Sequence, residues 1–295
     1  MKYLFVLNPI SGLRKRARDV VDYISMTMSK SGYQFEFAST SGPGDATRIA
    51  RDAVRQGIEI VVAAGGDGTV NEVASGLTHS ESCLGVIPLG SGNGVARSLN
   101  IPLKLNTALH FLMNPRITTI DIGKINQRYF IGVCGVGLDA KIGQKFQEFG
   151  VRGPIPYFMI GAKEYLFYQC ERVLLEFNNN KFEDDVLLVA VANTKQYGNG
   201  AIIAPDADPK DGWLDVCIIP RVPIYKAIYL TIKLFKGKIN TTTSYLHHKC
   251  KSIGILTKSS PSIIHTDGEP HEMESNLKID IIEKALKVCT PLNRI

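Results

Sequence analysis

Residues 58–64, Ile-Glu-Ile-Val-Val-Ala-Ala, run straight into Gly65-Gly66-Asp67-Gly68-Thr69-Val70-Asn71-Glu72. An apolar run of this kind suits a strand covered on both faces, the environment of a parallel sheet. The glycine-rich segment follows that strand and opens a helix, which is where ligands bind in α/β sheets. Glycines there let backbone N–H groups approach phosphate oxygens, and a helix N-terminus adds favourable partial charge. The plainer alternative is a tight strand-to-helix turn, with Thr69 and Glu72 forming a capping box. Three glycines around an aspartate exceed what capping requires. Asp67 would repel a bare phosphate, so the segment suits a nucleotide that brings Mg²⁺, with Asp67 holding the cation directly or through water.

The surrounding sequence repeats the strand–helix rhythm. Strands are expected over residues 3–7, 34–38, 58–64 and 84–87, and helices over 14–28 and 45–56, after Thr69 and after Gly94. Repeated β-α-β units argue for a doubly wound sheet. After residue 120 strand-like runs dominate, at 128–133, 173–177, 185–192, 214–219, 252–257, 262–266 and 277–282, separated by Gly, Asn, Asp and Pro clusters. That pattern suggests an antiparallel sandwich, interrupted by helical inserts at 155–168 and 224–235. The expected organisation is an α/β domain over 1–122, with the tail 289–295 a candidate to rejoin it, and a β-sandwich domain over 123–288.

Composition narrows the function classes. Lys and Arg number 34 against 28 Asp and Glu, a formal charge of +6 that suits phosphate-bearing partners. No basic run with interleaved aromatics occurs, which disfavours nucleic acid. The six cysteines form no C-x-x-C pair, so zinc and redox motifs lack support. Scattered thiols and a short N-terminal apolar run fit a reducing cytosol. No uncharged stretch approaches the ~20 apolar residues needed to span a bilayer.

Two further loops sit where strands of the first domain should end, Asn8-Pro9-Ile10-Ser11-Gly12 and Pro88-Leu89-Gly90-Ser91-Gly92-Asn93-Gly94. Strand C-terminal ends share one edge of a parallel sheet, so the three loops are expected to converge. Competing signatures fail: no G-x-x-x-x-G-K-[ST], G-x-S-x-G or H-E-x-x-H is present. Gly135-Val136-Gly137-Leu138-Asp139-Ala140 matches a Rossmann variant but lies in the strand-rich half and reads as structural. The six histidines show no ligand spacing and read as surface or core residues.

Together, GGDGTVNE, the upstream NPISG, the downstream PLGSGNG and the late Asp267-Gly268-Glu269 resemble the diacylglycerol kinase catalytic-domain family, in order and spacing along nearly the whole chain. That family includes soluble bacterial lipid kinases and the sphingosine and ceramide kinases. The GGDG loop alone is shared with NAD kinases and phosphofructokinases. The resemblance implies a Rossmann-like, NAD-kinase-like α/β domain, a C-terminal β-sandwich and an active site in the cleft between them. It implies an enzyme that transfers the γ-phosphoryl group of ATP to a lipid hydroxyl; a cytoplasmic protein, in solution or touching the membrane from one side, and a homodimer are compatible with it. ATP would contact Asn8, Ser11, Thr40, Gly66, Asp67, Gly68, Thr69, Val70, Asn71, Glu72 and Ser91. Glu269 would be the general base, with Asp267 in reserve and Asp67 handling Mg²⁺. The third loop has glycine at position 94 where the more usual bacterial form has aspartate, a form closer to sphingosine kinases.

Residues 208–213, Asp-Pro-Lys-Asp-Gly-Trp, resemble the family's structural Mg²⁺ loop, with Asp208, Asp211 and Trp213 as ligands; the alternative is a solvated turn. Locally, Asp267-Gly268-Glu269-Pro270 reads as a hairpin turn. Residues 155–168 and 224–235 read as helices packed on the sandwich, or, for the lysine-flanked second, as a membrane-surface helix. Two other functions stay open: a kinase of a soluble substrate such as NAD, or a catalytically silent nucleotide- or lipid-binding regulator.

Overall fold

A computed structural model describes residues 1–9, 17–149 and 154–291. The chain divides into two compact units, Met1–Ile120 with Lys284–Ile295, and Asp121–Glu283. The division thus falls just before the expected position 122, and the return begins at Lys284, ahead of the 289–295 tail.

The first unit holds β1 (Lys2–Leu7), α1 (Ala17–Lys30), β2 (Gln34–Ser39), α2 (Asp45–Arg55), β3 (Ile60–Gly65), α3 (Asp67–Leu77), β4 (Cys83–Pro88), α4 (Gly94–Ser98) and α5 (Leu105–Leu112). Strand β5 (Arg116–Ile125) then leads the chain into the second unit. The second holds β6 (Arg128–Phe130), β7 (Val133–Gly137), α6 (Leu138–Phe149), α7 (Pro154–Phe167), β8 (Glu171–Phe177), β9 (Asn180–Ala192) and β10 (Leu214–Pro220). It continues with α8 (Ile224–Phe235), β11 (Leu246–Cys250), β12 (Ser252–Thr257), β13 (Ser262–Thr266) and β14 (Glu269–Met273), and β15 (Asn276–Thr290) carries the chain back to the first unit.

In the first unit the sheet order is β2-β1-β3-β4, all parallel, with the end of β15 added parallel to β4 through Lys287 and Val288. Both faces are covered, which is why β1, β3 and β4 read as near-continuous apolar runs. Tyr3, Phe5, Ile60 and Val62 pack with Val20, Ile24 and Met28 of α1 and with Leu109 and Leu112 of α5. Helices α2 and α3 pack on each other and on β1, β3 and β4. Because β2 lies on one side of β1 and β3 on the other, the connections leaving β1 and β3 diverge at their carboxyl ends. This is the topological switch point of the sheet.

The second unit is the expected antiparallel sandwich. Strand β9 organises it: residues 180–186 pair with β8, and residues 188–192 pair with β7 on one side and β10 on the other. Alternation sorts its side chains, Val189 and Val191 entering one core and Ala190 and Ala192 a second. Strand β10 does the same with Val216 and Ile218 against Cys217 and Ile219. The first core is the sandwich interior; the second is where Leu138 of α6 and Leu230 of α8 pack. The strand expected over 128–133 is instead two, β6 and β7. Ile131 and Gly132 between them leave the ladder to donate their N–H groups to Asp267.

Candidate functional site

At the switch point the loops after β1, β3 and β4 are fastened to one another. Asn8 Nδ2 donates to Thr69 Oγ1 at 3.1 Å, and Leu89 N donates to Gly65 O at 2.8 Å. Thr40, just past β2, joins through its N–H to Leu7 O at 2.9 Å. The β3–α3 and β4–α4 loops meet backbone to backbone: a Cβ on Gly90 would stand 2.6 Å from Gly66 Cα. No other residue type permits that approach, so glycine here is a requirement of packing between loops. Asn93, at φ 50°, closes the second loop on itself, its side chain accepting from Gly90 N at 3.0 Å and donating to Gly90 O at 2.9 Å. Asp67 Oδ1 accepts the N–H of Val95 at 3.4 Å, and a Cβ on Gly92 would lie 3.0 Å from Asp67 Oδ2.

Of the residues expected at a nucleotide, Asn8, Thr40, Gly66, Asp67, Gly68, Thr69, Val70, Asn71, Glu72 and Ser91 all belong to these loops or to the first turns of α3, while Ser11 lies outside the described residues. Asp67, Gly68 and Asn71 are half-buried, Thr69 and Val70 buried, and Ser91 exposed. The capping-box reading is corrected. Helix α3 starts at Asp67 with Gly66 as its N-cap and no side-chain cap. Thr69 therefore lies inside the first turn, and its hydroxyl receives Asn8. Glu72 caps a different helix: its carboxylate accepts Gly44 N at 2.9 Å and Ala46 N at 3.0 Å at the start of α2.

In the second unit, Asp267 and Gly268 turn between β13 and β14 with φ of 50° and 84°. Asp267 accepts N–H groups from Ile131 (2.9 Å), Gly132 (2.7 Å) and Val133 (3.1 Å), so its oxygens anchor the β6–β7 connection. Glu269 opens β14 opposite Thr266 and is half-buried. Beside it, Thr266 Oγ1 and His271 Nε2 lie 2.9 Å apart. Burial, with Arg128 and His265 nearby, pushes the His271 pKa down to about 4, so its ring is neutral near pH 7.

The second unit also encloses an apolar cavity of about 360 Å³, walled by α6, α7, α8, β9 and β10 through residues such as Ile142, Leu188, Ile219, Ile228 and Leu234. Its few polar lining groups include Asp139 and Tyr197. Tyr197 Oη donates to Asp139 Oδ2 at 2.9 Å, and the buried His265 Nε2 stands 3.1 Å from the same oxygen. No local signal singles these residues out: Asp139 lies within the GVGLDA segment, and His265 is one of six histidines without ligand spacing. Only the tertiary structure brings residues 139, 197 and 265 together.

In the Asp208–Trp213 loop both carboxylates accept N–H groups of the loop's own backbone. Asp208 Oδ1 accepts Lys210 N at 3.1 Å and Asp211 Oδ1 accepts Trp213 N at 3.0 Å. Asp211 Oδ2 holds the Lys249 ammonium at 2.6 Å, which also stands 3.7 Å from Asp215, while Lys251 lies over the Trp213 ring. The protein's own lysine thus neutralises the acidic turn. Among the described residues no group of three or more His, Cys, Asp or Glu side chains could hold a metal. A Mg²⁺ held by Asp208, Asp211 and Trp213, as expected there, would have to compete with Lys249 for Asp211.

Comparison with known proteins agrees with this division. Residues 2–125 match the diacylglycerol kinase catalytic domain, and residues 132–290 match the YegS C-terminal NAD kinase beta sandwich-like domain. The chain belongs to the diacylglycerol kinase catalytic-domain family. Among its relatives, the diacylglycerol kinase of Staphylococcus aureus (strain bovine RF122 / ET3-1) is 28% identical over 268 residues, covering 90% of this chain and 84% of that one. The diacylglycerol kinase of Staphylococcus haemolyticus is 27% identical over 291 residues, covering 97% and 87%. A crystal structure of a diacylglycerol kinase from Bacillus anthracis str. Sterne superposes with a TM-score of 0.76 over 99% of this chain and 97% of that chain, at 21% identity. A further structure from that strain gives 0.81 at 22%. These superpositions establish a shared fold. Membership makes the chain a kinase of this family, and with it a user of ATP.

Proposed function

We propose that the protein transfers the γ-phosphoryl group of ATP to the hydroxyl of a lipid. The observation that carries the lipid half is the apolar cavity of the second unit, large enough for an acyl or alkyl chain and with few polar lining groups, Asp139 and Tyr197 among them. A soluble acceptor such as NAD would leave that apolar lining without purpose.

The roles fall on different units. In the first, the loops around Gly66, Gly68 and Ser91, with Asn8, Ser11, Thr40 and the first turns of α3 through Glu72, bind the nucleotide phosphates through backbone N–H groups and small side chains. No P-loop lysine is present, so much of the phosphate charge falls to the cation that ATP carries. The residues fit this Mg²⁺: the lack of a Cβ on Gly92 leaves room beside the Asp67 carboxylate. When bound, Mg²⁺ would neutralise charge on the β- and γ-phosphates. In the second unit, Glu269 accepts the proton of the lipid hydroxyl as its oxygen bonds to the γ-phosphorus; the bond to the β,γ-bridging oxygen breaks, and ADP and the phosphorylated lipid leave.

The test is incubation of the protein with γ-labelled ATP and, separately, a total lipid extract and NAD, with the product identified by mass. Label in an organic-soluble phospholipid is expected. Label in NADP with none in lipid would overturn the lipid reading. ATP binding with transfer to neither acceptor would point to a silent regulator.

A further inference from the structure

From Gly65 to Asn100, through the loops after β3 and β4, Arg97 is the sole Lys or Arg in the sequence. It lies on α4, the short helix that the third loop opens. Its backbone N–H donates to Asn93 O at 3.0 Å, and its side chain turns back on the loop, Nε donating to Gly92 O at 3.1 Å. The guanidinium is thus held against the loop, and the side chain is half-buried.

That bond is the one side-chain hydrogen bond Arg97 makes among the described residues, and no carboxylate among them pairs with it. Arg48, Arg55 and Arg172 are more exposed, yet each meets an Asp or Glu. A guanidinium carries five N–H donors and stays charged at every pH a cell meets. With Nε spent on Gly92, its two terminal nitrogens still offer four N–H groups, in the planar fork that matches phosphate oxygens. Shielding such a cation from water is costly unless an anion satisfies it.

Gly92 ties this cation to the site. Its carbonyl takes Arg97 Nε, while a Cβ on it would lie 3.0 Å from Asp67 Oδ2. Both charged groups border the same residue, and they form no ion pair with each other. Neutralising Asp67 would call for such a pair. The arrangement instead leaves Asp67 to the cation of MgATP and Arg97 to the phosphates, which keep a net negative charge after that cation is counted.

We propose that Arg97 binds the β- and γ-phosphates of ATP. Its Nε fixes the guanidinium to the third loop, and its terminal N–H groups donate to phosphate oxygens alongside the backbone N–H groups of the loop after β3. The proposal rests on the reading of these loops as the nucleotide site. It supplies what that reading lacks, a positive charge fixed by the chain itself. Charge that develops on the leaving ADP then meets a cation already in place, with no reorganisation at the moment of transfer.

The competing role is a clamp that holds the loop through Gly92 O and never touches phosphate. Two substitutions separate the roles. In Arg97→Gln the amide nitrogen stands where Nε stood, so the donor to Gly92 O is kept and the charge is lost. In Arg97→Lys the charge is kept, while the donor at that place and the fork are lost. By titration calorimetry Arg97→Gln should weaken MgATP binding by about tenfold or more, and Arg97→Lys by less. Adenosine binding, followed by ligand-observed NMR, and the melting temperature should match wild type in both. In steady-state kinetics the loss should fall on kcat/KM for ATP and leave the KM of the acceptor unchanged.

The reverse order, with Arg97→Gln like wild type and Arg97→Lys impaired, would make the residue a clamp and overturn the proposal. Wild-type MgATP affinity in both variants would also overturn it, as would equal losses for MgATP and adenosine. A wild-type protein that binds no MgATP would remove the nucleotide reading of the loops and the proposal together. Wild-type binding of MgATP that Arg97→Gln leaves unchanged removes the proposal alone.

Discussion

The two units build their sites from opposite materials. In the first, the site is largely backbone: loops of glycine and small polar residues at the ends of parallel strands, fastened by Asn8–Thr69 and the Gly66–Gly90 approach. In the second it is side chain: a cavity of branched and aromatic groups with Asp139, Tyr197 and His265 at a polar spot. A backbone site is compressed into short segments, because successive N–H groups must come from successive residues. A side-chain site can draw on any element that packs nearby. The difference follows from the proposed ligands, since phosphate asks for directed N–H donors and a lipid chain asks for apolar area.

Substitutions can break this comparison or sharpen it, and the largest effect is expected at the proton acceptor. Glu269→Gln should lower turnover by about 10²- to 10⁴-fold while leaving ATP affinity unchanged, as steady-state kinetics and calorimetric titration would report. A loss confined to ATP affinity would move Glu269 out of the chemistry. Next is Gly90→Ala, which sets a methyl group against Gly66 and forces the two loops apart. It should weaken ATP binding by about tenfold or more. Unchanged ATP affinity would mean that the glycine contact serves packing alone.

Two smaller effects concern stability. His271 is held at a pKa of about 4 against an ordinary value of 6.5, chiefly by burial. The unfolded chain therefore binds more protons between those values. The stability contributed by neutral His271 is present above about pH 6.5 and is lost as pH falls toward 4, by on the order of 3 kcal/mol. Melting temperature against pH should fall over that window, and more steeply in wild type than in His271→Gln. Smallest is Glu72→Ala, which strips two acceptors from the start of α2 and should cost about 1 kcal/mol by chemical denaturation. A large loss of ATP affinity in that variant would show that Glu72 serves the nucleotide as well as α2.

The same contrast governs what could be read from the chain. The α/β unit was legible because its signals are local: apolar runs ending in Gly65, Pro88 and Asn8 announce strand ends on one edge of a sheet. Roles that depend on contact between elements were not. Thr69 and Glu72 fit a capping box by spacing, yet each serves a partner on another segment, Asn8 and the start of α2. The acidic turn at 208–213 reads as a cation loop by spacing, and no local pattern announces that Lys249, on β11, reaches its Asp211. Asp139 is hidden in a glycine motif that invites another explanation. For α8, apolar residues on most faces are equally compatible with burial and with a membrane, and no local pattern shows that Leu230 alone of its twelve residues is buried.

The central claim, that the second unit receives a lipid chain while the first handles ATP, is tested most directly by comparing long- and short-chain alcohol acceptors in wild type and Ala227→Phe. Ala227 lines the cavity from a half-buried position on α8, so phenylalanine narrows the cavity with little demand on the sandwich core. We expect kcat/KM for the long-chain acceptor to fall by about tenfold, with the short-chain acceptor and the KM for ATP unchanged. Equal losses for both acceptors, or none for either, would contradict it.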